Sequence, residues 1–235
     1  MYNYYLIIKI IFRWGFEMKK EVKSGDFFSL AMLAFGGVGL ELLLLFIESL
    51  VYSNSLNEMT TMQHILHWCL TSFVWGACTL LLARYAKNHY SFDITGSRES
   101  IKISKLIVAI LLVLVCIASN AWSWGTLKIL GELAKKGSIA LFLFQYIYYI
   151  FEVGLILSII AYGQKAGELR FGKVNIPWGG FIVGLSWGLM HALTKGSLFI
   201  GAEAMITGVL YGSIYLLVEK RSWYSYCLIL LAFVL

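Results

Sequence analysis

Seven stretches of the chain are nearly unbroken runs of apolar residues, separated by short segments rich in Lys and Arg. Apolar runs of about 20 residues predict helices that cross a bilayer. They fall at about 27–52, 62–86, 104–124, 139–163, 176–195, 198–218 and 222–235. The last is brief and reads as a short or half-inserted span. The expected fold is therefore all-α, a polytopic membrane helix bundle of about seven transmembrane helices, with six to eight as the range.

Residues 1–17 are apolar and aromatic but interrupted by Lys9 and Arg13, too short and too charged a run to span. They lack a small-residue cleavage site, which argues against a cleaved signal peptide. Two readings stand: an interfacial helix, or an upstream start, since Met18 is followed by Lys19 and Lys20. The chain divides into an N-terminal basic and aromatic segment, 1–26, and a transmembrane helical domain, 27–235.

Composition supports the membrane reading. Of 235 residues, 60% are hydrophobic and only 14% charged, whereas soluble domains are about one-quarter charged. The mean hydropathy is +0.77. The net charge of +6 is spread over the segments between spans, which fits orientation in a membrane and gives no reason to expect nucleic acid. Among the 19 Lys and Arg, only Lys128, Lys135, Lys136 and Lys195 fall on the outer side when the N-terminus is placed inside. The bias predicts a multi-pass protein of the cell membrane with a cytoplasmic N-terminus. Segment 125–138 fits least well, being basic yet outside, and reads as an interfacial helix. Cys69, Cys78, Cys116 and Cys227 lie inside apolar runs without CxxC spacing, as small buried hydrophobes do.

The most distinctive stretch is Ile176 to Lys195. Gly180, Gly184 and Gly188 recur every fourth residue, a strip where a neighbouring helix can approach closely. His191 follows one turn later on nearly the same face. Ionisable residues within spans are few, and such residues are candidates for function. At 1.5 Å rise per residue, Glu41 and His191 lie at roughly 21 and 22 Å from the inner end of their spans, and Glu152 at roughly 16 Å. Counted down from the outer side of a core of about 30 Å, His67 and Glu203 also fall near 22 Å. Five ionisable groups thus share one layer in the outer half of the membrane.

On the fourth span Gln145, Tyr148, Tyr149 and Glu152 form one stripe. Gly208-x3-Gly212 on the sixth span suggests packing against the glycines of the fifth, which would bring His191 and Glu203 together. A Glu beside a His can position a water, and such groups can ligate a divalent metal, with His191, Glu203 and His67 as candidate ligands. The plainer readings are interhelical hydrogen bonding for His191, packing for the glycines, and pairing of Glu41 and Glu48 with Lys or backbone. For His64 and His67 the plainer reading is exposure to water, and for Lys195 snorkelling to the headgroups.

From about Gln145 onward the chain resembles the CPBP family, membrane proteases that include CAAX prenyl endopeptidases and bacteriocin-processing or self-immunity proteins. Phe151-Glu152 falls where that family carries Glu-Glu-x3-Arg. Trp187-x3-His191 resembles its Phe-x3-His motif, and Gly208-x3-Gly212-x2-Tyr215 with Lys220-Arg221-Ser222-Trp223 resembles the approach to its His-x3-Asn or Asp motif. The chain departs from the pattern in three ways: Val153 stands for the second glutamate, neither Ile156 nor Leu157 can serve as the arginine, and the third motif falls near Ile229 and Phe233.

The resemblance implies a non-catalytic or immunity-like member that binds a peptide or another membrane protein. One alternative is an active divergent intramembrane endopeptidase in which Glu152 and His191 activate water, with Glu203 among the candidate catalytic residues. The other is a small transporter or channel subunit. A divalent metal is the one cofactor the residues leave open, and the lipid bilayer is the expected partner.

Overall fold

The computed structural model describes residues 22–52, 58–96 and 100–235. The N-terminal segment read from the sequence lies, as far as residue 21, outside the described residues. The rest is helical: α1 (Ser24–Tyr52), α2 (Thr61–Tyr90), α3 (Ile103–Trp124), α4 (Lys128–Lys136), α5 (Ile139–Phe171), α6 (Trp178–Val183), a π-helical turn (Gly184–Gly188), α7 (Leu189–Thr194), α8 (Leu198–Leu217) and α9 (Ser222–Val234). Polar residues set the ends. Thr60 opens α2 with a capping box, its hydroxyl accepting from the Gln63 N–H at 3.3 Å while the Gln63 side chain accepts from the Thr60 N–H at 2.7 Å. Gly125 and Gly137, both at positive φ, bound α4 on either side.

Among the described residues five helices are long and apolar enough to cross a membrane: Ser24–Tyr52, Thr61–Tyr90, Ile103–Lys136 (α3 continuing into α4), Ile139–Phe171 and Leu198–Leu217. Large apolar side chains such as Leu43, Phe46, Leu50, Phe73, Leu111 and Leu114 point outward on these helices. Such a surface suits lipid contact and would be a liability in water. The two remaining apolar stretches are helical but differ from the rest. Trp178 to Thr194 is divided by the π turn, and α9 has 13 residues, about 20 Å of helix against a core of about 30 Å.

The centre of the bundle is α5, and it packs against α1, α2, α6, α8 and α9. Its residues from Glu152 to Gln164 are buried except Gly154. The stretch from Ile176 to Lys195, distinctive in sequence, is instead the link between α5 and α8. At its start Gln164 accepts from the Gly179 N–H at 3.2 Å and donates to the Ile176 carbonyl at 3.0 Å, which fixes α6 to α5.

The glycine strip packs as its spacing predicts. Gly180, Gly184 and Gly188 face Gly208, Val209 and Met205 of α8. In an α-helix a four-residue step overshoots one turn by about 40°. The wider π turn takes up that excess and keeps the glycines in line. A Cβ on Gly208 would lie 2.8 Å from the Gly184 Cα, so backbone meets backbone here.

Candidate functional site: a polar cavity beneath α4

A cavity of about 1070 Å³ opens at the end of the bundle where α4 lies. Glu41, Glu152, His191 and Glu203, four of the five residues placed in one layer from the sequence, line it. They come from α1, α5, α7 and α8. The stripe on α5 also faces it, through Gln145, Tyr148, Tyr149 and Glu152.

Trp187 holds two of these residues in place. Its indole N–H donates to the Glu152 carboxylate at 3.0 Å, and its carbonyl accepts from His191 Nδ1 at 3.0 Å. The His191 ring also sits 4.4 Å from the Trp187 ring, edge to face. The Nδ1–H bond to a carbonyl leaves Nε2 as the acceptor of a neutral imidazole. Glu152 is 8% exposed, and its donor is the residue that stands where the resembled motif has Phe.

Glu203 lies in the same cavity but is tied to α3, accepting from Ser119 Oγ at 2.9 Å and Ser123 Oγ at 3.0 Å. His67 departs from its expected exposure. It is 4% exposed, with Nδ1 at 2.7 Å from Glu48 and Nε2 at 3.5 Å from Glu41. The cause is the spacing of Glu41 and Glu48, two turns apart on one face of α1, which brackets the imidazole of α2. Glu41 in turn accepts from the Tyr148 hydroxyl at 2.8 Å. The partner of the two glutamates is therefore His67, where Lys or backbone was the plainer expectation. Lys195 also lines the cavity. Among the described residues no group of three or more His, Cys, Asp and Glu side chains is arranged to hold a metal ion.

Four contributors escape the sequence reading. Helix α4 supplies Lys128 and Glu132 to the cavity, and α3 supplies Asn120 and Ser123. Lys128 donates to the Phe233 carbonyl at 2.7 Å, and its backbone N–H to the Leu235 carbonyl at 3.0 Å, so α4 is fastened to the end of α9. Glu132 accepts from the Tyr149 hydroxyl at 2.7 Å and from Gln145 Nε2 at 3.3 Å. The available signal was the pattern Lys128, Glu132, Lys136, a charged stripe at four-residue spacing.

The positions where the third motif was expected are apolar and well packed. Ile229 is fully buried. Phe233 forms part of the cavity wall, 5.1 Å from the Tyr149 ring and 6.1 Å from the Trp187 ring. No protein family, curated protein or solved structure compared with the chain matches it.

Proposed function

We propose that the chain is an integral membrane protein of CPBP-like build that binds a peptide, or a segment of another membrane protein, in this cavity without cleaving it. The reading includes seven spans, with α6 to α7 as the fifth and α9 as a short seventh, a cytoplasmic N-terminus and the cavity on the outer side of the cell membrane. The observation that carries it is Phe233 in the cavity wall. Hydrolysis through activated water needs positioned acid–base groups around that water, and the resemblance asks for one of them at this place. A cavity of this size with aromatic walls and a few convergent polar groups is a common form of binding site.

A second reading, a divergent endopeptidase, is favoured by one observation: Glu152 and His191 line the same cavity. Incubating the purified protein in nanodiscs with a membrane-presented peptide library separates the two. Retention of peptides without new termini supports binding. Cleavage abolished by His191→Ala supports the endopeptidase and ends the non-catalytic reading. Cysteine labelling from either side at Gly172 and Gly196 tests the orientation, which predicts reaction of the second from outside only.

A further inference from the structure

The cavity has one corner whose hydrogen bonding is incomplete. Glu132 is 5% exposed and Gln145 is 9% exposed, and both line the cavity. Among the described residues Glu132 Oε2 and Gln145 Oε1 have no hydrogen-bond partner. The other oxygen of Glu132 already accepts from Tyr149 and Gln145, while the Gln145 nitrogen is engaged with Glu132 and Tyr149. What remains is two acceptors on a pair of hydrogen-bonded side chains, one of them on a carboxylate. Buried acceptors left unpaired are costly and rare in native proteins.

The surrounding charges favour a cation as the missing donor. The carboxylates of Glu41, Glu132, Glu152 and Glu203 line the cavity, against the ammonium groups of Lys128 and Lys195. Among the described residues none of these four glutamates forms an ion pair with Lys or Arg. Lys128 is already committed to the Phe233 carbonyl and lies 4.8 Å from the centre of the Tyr149 ring and 4.3 Å from that of Phe233. Lys135 and Lys136 similarly cover Trp124 and Trp68, both of which line the cavity. The chain's own lysines show that these ring faces accept an ammonium.

Resting on the reading of the cavity as a peptide-binding site, we infer that the Glu132–Gln145 corner takes a cationic N–H donor of the bound peptide, an ammonium or a guanidinium. Glu132 supplies the charge and Gln145 a second acceptor, a charge-assisted arrangement stronger than one between neutral groups. The Tyr149 hydroxyl fixes the carboxylate through its other oxygen. A peptide with carboxylates at the same positions would meet unpaired acceptors and like charge.

The test uses the full chain in nanodiscs and a blocked pentapeptide with two lysines, its lysine-acetylated form and its glutamate form, with affinities read by tryptophan fluorescence. Binding of the lysine peptide at least tenfold tighter than either other form is expected. Glu132→Gln should weaken the lysine peptide at least tenfold and leave the acetylated one unchanged, and Glu132→Asp should retain binding. Gln145→Met, which removes the second acceptor without a charge change, should weaken the lysine peptide as well. Melting curves confirm that each variant is folded, and should Glu132→Gln not fold, Gln145→Met decides. Equal binding of all three peptides, or lysine-peptide affinity unchanged in the folded variants, overturns the cationic corner while binding of peptides stands. No binding of any peptide overturns both. Spermidine binding as tightly as the lysine peptide, with the same response to Glu132→Gln, keeps the corner and overturns the peptide reading.

Discussion

Trp187 donates its indole N–H to Glu152 across 3.0 Å, and so joins the central helix α5 to the π turn between α6 and α7. Phe at this position would fill similar space but offer no donor. Trp187→Phe should therefore leave a buried carboxylate oxygen without its partner and destabilise the fold by about 1–3 kcal/mol. A double-mutant cycle with Glu152→Gln, read by thermal unfolding in detergent, should give a coupling of at least about 0.5 kcal/mol. Additive effects of the two changes would show that the bond contributes nothing.

His67 is bracketed by Glu48 at 2.7 Å and Glu41 at 3.5 Å, and Glu48 is itself 5% exposed. Truncating His67 to Ala leaves Glu48 buried without its main partner. Removing one member of a buried pair costs about 3–5 kcal/mol. His67→Ala should lower the melting midpoint far more than His64→Ala, since His64 makes a local bond to the N-cap carbonyl of Thr60.

Close backbone packing makes a sharp contrast among glycines. Gly208→Ala would bring a methyl within 2.8 Å of the Gly184 backbone, whereas a Cβ on Gly36 meets nothing within 4 Å. The first change should destabilise by about 1–3 kcal/mol, the usual range for overpacking. The second should be neutral or slightly stabilising. Equal melting midpoints for the two variants would contradict the packing of α8 on the π turn.

Outside the spans, Asp93 carries a pH-dependent contribution. Its carboxylate accepts from the Thr95 backbone N–H at 3.0 Å and hydroxyl at 2.8 Å, with Lys87 at 3.2 Å. These contacts, the Thr95 backbone first, hold its pKa down to about 2. A depressed carboxylate stabilises the fold fully above its ordinary value of about 3.9 and loses that contribution as pH falls through the folded value. Carboxyl NMR titration should place the Asp93 midpoint well below that of a free aspartate, and Thr95→Ala should move it upward.

Element positions were legible because bilayer helices obey simple length and hydropathy constraints. Each of the seven apolar stretches is a helix, with α2 and α5 running several residues beyond the apolar part into polar ends such as Lys87 and Arg170. The number of spans was less legible. Hydropathy counts apolar residues, and the π turn that divides Trp178 to Thr194 leaves no trace in such a count. Four of the five ionisable residues expected in one layer line one cavity, because helix rise converts residue number into position along a helix. Depth does not say which way a side chain faces, and that is why His67 and Glu203 have partners other than those expected.

The sequence by itself determined the all-helical architecture of long apolar helices and the glycine contact of the fifth stretch with α8. Each follows from local periodicity and from the cost of exposing polar groups to lipid. Only the tertiary structure decided the pairings: Trp187 with Glu152, His67 with Glu48, Glu203 with the serines of α3, and α4 with the end of α9. A hydrogen bond between helices depends on their rotation and tilt, set by the packing of many apolar side chains together. His191, conspicuous in the sequence, and Glu132, inconspicuous in it, come to line one cavity for that reason.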